Sequence, residues 1–128
     1  MCKLTTISTN DGTCIEIADI KAEIVKQILR LAHTCDKIDY IYIFGSVLEE
    51  RCTAESDIDL AIVSNVTRLK LYKAKDYDSF KNKLYSLDVT QEYDILQFNS
   101  LNALRNSNDF VCKDILSKGK MLYKRIGA

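Results

Sequence analysis

The chain has 128 residues, with 18 basic and 18 acidic side chains and a formal net charge of zero. That length fits one domain able to bury a core without metal or disulfide staples; 47% hydrophobic and 28% charged residues exclude collagen-like, low-complexity and disordered chains. Zero net charge argues against a DNA or RNA binder held by electrostatics alone.

The zero is a cancellation. Residues 1–64 carry 6 basic and 11 acidic side chains, a net of −5, and residues 65–128 carry 12 and 7, a net of +5. The five cysteines (Cys2, Cys14, Cys35, Cys52, Cys112) form no C-x-x-C and have only His33 to join them, which argues against zinc and against a disulfide framework. No basic-then-apolar leader opens the chain, and no apolar run approaches the roughly 20 residues that span a bilayer. The expectation is a reduced, cytoplasmic protein without membrane contact.

In chain order, residues 4–8 and 13–17 flank Asn10-Asp11-Gly12, a pattern that predicts a β-hairpin. Residues 19–33 predict a helix with Ile20, Ile24, Ile28 and Leu31 on its apolar stripe and Asp19 as its cap. Residues 38–44, rich in β-branched and aromatic types, predict a strand ending at Gly45. Ser46-Val47-Leu48-Glu49 matches a capping box and predicts a short helix. Residues 58–63 predict a second buried strand, 65–75 a basic connection, and 76–87 a helix with Tyr77, Phe80, Leu84 and Leu87 inward. Residues 89–98 predict a third long strand and 99–105 a short helix or turn. Residues 108–118 predict a closing helix with Phe110, Val111, Ile115 and Leu116 inward, stopped by Gly119; Met121–Tyr123 predict a last strand. Without proline, linker or repeat, one domain is expected over 1–128, with a core over 20–125 and a hairpin extension over 1–17.

One constellation carries chemistry. Phe44-Gly45-Ser46 is followed, after ten residues, by Asp57-Ile58-Asp59. Gly45, with no Cβ, lets a ligand approach the backbone, and the free N–H groups of a helix start attract phosphate. Asp57 and Asp59, two apart on a strand, point to one face of a sheet. Paired carboxylates beside a phosphate cradle suit Mg²⁺, which takes hard oxygen ligands together with phosphate. A third carboxylate comes from the next strand. Asp94 lies within an apolar run, where a charge is costly unless paired or metal-bound; Glu92, two residues earlier, is the competitor on the same face.

Gly45-Ser46-x10-Asp57-x-Asp59 resembles the signature of the DNA polymerase β-like nucleotidyltransferase superfamily. The size of the chain and its ending, Asp114 to Tyr123, look like the minimal nucleotidyltransferase (MNT) group. The resemblance implies an α+β fold with a small mixed sheet flanked by helices, and transfer of an NMP unit from ATP or another NTP to a hydroxyl. It implies that Gly45 and Ser46 hold the triphosphate, that Asp57, Asp59 and Asp94 are catalytic and bind two Mg²⁺, and that Asp94 takes the acceptor proton. It also implies a HEPN-domain partner in a toxin–antitoxin pair, with a homo-oligomer left open. One departure stands out: Glu49-Glu50 occupies the place of the usual Arg-Gly, and Arg51 comes two positions late. Two alternatives stay open, a non-catalytic antitoxin acting by contact and a transferase with a small-molecule acceptor such as an aminoglycoside.

Overall fold

The computed structural model describes residues 1–128. Strands β1 (Leu4–Ser8) and β2 (Cys14–Ala18) pair antiparallel as a hairpin. Gly12, at φ +88°, takes the left-handed turn that glycine tolerates. A 3-10 turn (Asp19–Lys21) leads into α1 (Ala22–Ala32). Strand β3 (Ile38–Phe44) ends in a 3-10 turn (Gly45–Leu48), and β4 (Ile58–Ser64) follows after a loop. Helices α2 (Arg68–Lys73) and α3 (Lys75–Leu87) cross over to β5 (Tyr93–Phe98). Helices α4 (Leu101–Arg105) and α5 (Phe110–Lys118) lead to β6 (Lys120–Lys124).

The main sheet has the order β5-β4-β3-β6. Strand β3 pairs antiparallel with β4 and β6, whereas β4 and β5 run parallel. It is the mixed sheet of an α+β fold. Alternation along the strands splits the core in two. Ile41, Ile43, Ile58, Leu60 and Ile62 face α1, α3 and the hairpin; Phe44, Ala61 and Val63 face Leu104, Cys112 and Ile115 of α4 and α5. Burying one such Ile or Leu is worth roughly 1.5–3 kcal/mol. The hairpin belongs to the larger core, because Ile7, Ile15 and Ile17 are buried within it. No helix is long and apolar enough to cross a membrane.

Several sequence expectations need correction. The first helix starts late, at Ala22. Ile20 is 51% exposed, and the buried positions of α1 are Val25, Ile28 and Ala32. Asp19 makes no helix cap and instead accepts a hydrogen bond from Lys3 N at 3.3 Å. The capping box at Ser46 does not form: the turn there has no side-chain cap, and the Glu49 carboxylate pairs with Arg51 Nε. The basic connection holds helix α2, because the Thr67 side chain accepts from Lys70 N and caps it. The third strand begins only at Tyr93, since Asp88 closes a turn by accepting from Thr90 N at 2.9 Å. On α5 the buried residues are Cys112 and Ile115; Phe110 is 83% exposed, and Val111 and Leu116 also face out.

Candidate active site

The end of β3 sets the site. Phe44 is the sheet partner of Asp59, so Gly45 emerges beside the Asp59 side chain. Gly45 has φ +81°, and a Cβ placed on it would stand 2.1 Å from Asp59 Oδ2. The carboxylate thus rests against the one residue type that leaves room for it. On the far side of β4 the parallel register pairs Asp59 with Asp94. Side chains of one sheet face lie in line across adjacent strands about 4.8 Å apart, which aligns Asp94 with Asp59; Gly45, just past the end of β3, completes the row by its close approach to Asp59. Asp57 stands in the loop one residue before β4 and continues the face of Asp59.

Burial first, then the negative charges of Asp94 and Asp57, push the Asp59 carboxyl up to about 6. Glu92 exerts no such influence on Asp59. It precedes β5, is exposed, and engages the sheet through its backbone oxygen, which accepts from Ile58 N at 3.1 Å. Asp94 is the second residue of β5 and is exposed. The cost of burial that singled it out in the sequence is therefore absent; its claim rests on register with Asp59.

Two clefts flank this row. The larger, of 660 Å³, is lined by Gly45, Glu49, Arg51, Lys118 and Lys120, with Glu16 of the hairpin on its wall. The smaller, of 310 Å³, is lined by Asp94, Phe44, Leu96, Phe98 and Arg68. Ser46 lies half-buried in the 3-10 turn beyond Gly45. Glu49, the acidic departure from the motif, borders the larger cleft with its charge matched by Arg51. The donors fit a hard divalent cation in type, and the charges of Asp57 and Asp94 reach Asp59. In this conformation no group of three Asp, Glu, His or Cys side chains is gathered closely enough to hold one ion.

Sequence reasoning missed Arg68, Lys118 and Lys120 as lining residues. Their signals were the basic connection over 65–75 for Arg68 and the ending Asp114 to Tyr123 for Lys118 and Lys120. It also missed Lys21, which leads the buried stripe of Val25, Ile28 and Ala32 at helical spacing yet is only 3% exposed. A lysine on an apolar stripe was the available clue.

Comparison with known proteins bears on the fold and the family. No curated protein sequence matches the chain significantly. Among solved structures, the chain is similar to one of a mutant MntA–HpeT toxin–antitoxin, with a TM-score of 0.53, 20% identity and coverage of 79% of this chain and 73% of the other. A toxin–antitoxin structure with AMP-PNP follows at a TM-score of 0.50 and 22% identity, covering 80% and 73%. A third, the tri-AMPylated Shewanella oneidensis HEPN toxin in complex with MNT antitoxin, gives 0.49 and 20%, covering 83% and 74%. The first two likenesses show the fold. The family described as "Polymerase beta, Nucleotidyltransferase" matches residues 26–126, from within α1 to past β6, and the chain belongs to that family.

Proposed function

We propose that the chain is a Mg²⁺-dependent nucleotidyltransferase that moves AMP from ATP to a hydroxyl of a partner protein, with pyrophosphate as the leaving group, as the antitoxin of a HEPN/MNT pair. The observation that carries this reading is the row of Gly45, Asp59 and Asp94, in which a crowded carboxylate has its charge opposed by two others. Such crowding disfavours the free protein and is relieved by a cation. Asp57, Asp59 and Asp94 would hold Mg²⁺, which supplies charge neutralisation on the phosphoryl oxygens. Gly45 keeps the backbone open to the triphosphate, and Ser46 offers its N–H and hydroxyl beside it. Asp94, exposed at the smaller cleft, is placed to accept the proton of the acceptor hydroxyl on a carboxylate oxygen. The toxin–antitoxin and AMP-PNP neighbours support the partner and the nucleotide. One catalytic unit over residues 1–128 is part of the proposal.

The test is incubation with labelled ATP, Mg²⁺ and the product of the adjacent gene. Label should appear on that product and should fail to form when EDTA is present from the start. Label that forms in EDTA overturns the metal-dependent reading.

A second reading, antitoxin action by contact alone, is favoured by the ungathered carboxylates and by Glu49 and Glu50 at the motif. Thermal shift separates the two. Mg-ATP at 100 times its Kd should add about 2.7 kcal/mol, and an unmoved melting temperature at millimolar Mg-ATP favours contact alone.

A further inference from the structure

Lys21 is 3% exposed and takes part in none of the five ion pairs of the chain. Its ammonium donates to Gln91 Oε1 at 2.6 Å and to Ala54 O at 3.1 Å. Lysine has no acceptor, so it fixes the Gln91 amide with oxygen toward Nζ. The Gln91 Nε2 then points the other way and donates to Ser56 O at 3.1 Å and Glu92 O at 2.7 Å. Gln91 is itself 9% exposed.

These four bonds have a common geometry. Ala54 and Ser56 belong to the loop that delivers Asp57. Glu92 and Gln91 belong to the approach to Asp94. Glu92 O also accepts the Ile58 N–H, which opens the parallel ladder between the two strands. One buried amine and one buried amide therefore hold the entrances of both strands to each other and to the start of α1. Asp88 is the acidic group whose charge faces Lys21, yet the two form no ion pair; a buried charge held that way is a poor way to gain stability, because an apolar residue of the same volume often does as well or better. Its two bonded neighbours both lead to the carboxylates.

We propose that Lys21, acting through Gln91, is a positioning residue that sets the spacing of Asp57 and Asp94 for the metal they share. Lys21 precedes the family match at 26–126, whereas Gln91 and the backbone groups it ties together lie within it. The inference rests on the reading of Asp57 and Asp94 as metal ligands. Outer supports of metal ligands typically govern 10–100-fold in affinity.

The experiment uses Lys21→Met, with Lys21→Met/Gln91→Leu as the second variant. The double variant removes the amine and the amide together, so that neither of these two side chains is left buried without the other. Two quantities are read, the Mg²⁺ concentration giving a half-maximal ATP-dependent thermal shift and the amide exchange of residues 53–58 without metal. The expected result is a 10–100-fold higher Mg²⁺ midpoint and at least tenfold faster exchange, with the metal-free melting temperature little changed. A wild-type Mg²⁺ midpoint in the variants overturns the proposal, and so does a lowered metal-free melting temperature with an unchanged midpoint, which marks a purely structural lysine. A wild-type chain with no response to Mg-ATP sinks the transferase reading instead; wild-type exchange rates in the variants then overturn the clamp on their own.

Discussion

Asp59→Asn should cost about 10³-fold in nucleotidyl transfer and at the same time raise the melting temperature of the metal-free protein. The loss follows from the several kcal/mol that a metal contributes to phosphoryl chemistry, at about 1.4 kcal/mol per factor of ten. The gain follows from the folded state. The Asp59 carboxyl titrates at about 6 instead of 3.8, raised by burial and then by Asp94 and Asp57. The folded chain thus holds this proton more tightly than the unfolded chain. Between about pH 4 and 6 the folded state binds more protons, so stability falls as pH rises through that window and stays low above it. Asparagine carries no charge and removes the loss. With allowance for the solvent that still reaches the carboxylate, relief of about 1 kcal/mol would raise the melting temperature by roughly 2–5 °C in a domain of this size. Melting curves of both proteins in EDTA at pH 4.5 and 7 read the effect. A wild-type curve flat across that range, or an asparagine variant that melts lower at pH 7, contradicts it. Adding Mg²⁺ should reverse the slope for wild type, because a cation competes with protons for the same oxygens.

Gly45→Ala should be among the most damaging single methyl additions in the chain. A left-handed φ of +81° costs a side-chain-bearing residue roughly 1–2 kcal/mol by itself. The new methyl would also meet Asp59 Oδ2 at 2.1 Å, so the carboxylate must swing out of the row. Gly12 supplies the control, since it has φ +88° and nothing within 4 Å of its would-be Cβ. Gly12→Ala therefore registers the backbone strain alone, and the excess cost at Gly45 measures the clash. That excess should disappear in an Asp59→Ala background, as a double-mutant cycle would report. Urea titrations of wild type, Gly12→Ala and the three variants of the Gly45/Asp59 cycle decide the matter; equal costs at Gly12 and Gly45 would mean that the carboxylate does not lean on the glycine. The Gly45→Ala protein should also lose its thermal response to Mg-ATP, whereas Gly12→Ala should keep it.

The Gly45-Ser46 and Asp57-x-Asp59 motif was readable because it is local. A β-rich run broken by glycine and a period-two pair of aspartates are both short-range patterns, and β3, Gly45 and β4 stand where those patterns put them. The partnership of Asp59 with Asp94 is a different kind of fact. It depends on a parallel register set by the crossover through α2 and α3, which no local pattern encodes. The boundary of β5 failed for a related reason, because Asp88 captures Thr90 N and turns the chain before the strand starts. Helix α5 misled because apolar residues occur all around it: Phe110, Val111, Cys112, Ile115 and Leu116 define no single stripe, and only Cys112 and Ile115 meet the sheet. The opposed charges of the two halves also mix in space. The strand order sets β3 and β4 of the acidic half between β5 and β6 of the basic half. Lys37–Asp76 and Arg125–Asp39 join the halves as ion pairs.

The Asn10 side chain donates from Nδ2 to Lys124 O at 2.6 Å and accepts Lys124 N–H at 3.1 Å, a clasp between residues 114 positions apart. It fastens the hairpin to β6, which is also the second neighbour of the central strand β3. A chain leaving the ribosome therefore carries β3 with one edge bare, and a hairpin without its Asn10 clasp, until Lys120–Lys124 has been made. Bare strand edges recruit other strands, and contacts this distant in sequence form late. Maturation of the protein is thus timed by its own C-terminal strand, and any partner that needs the finished sheet must wait for translation to pass Lys124.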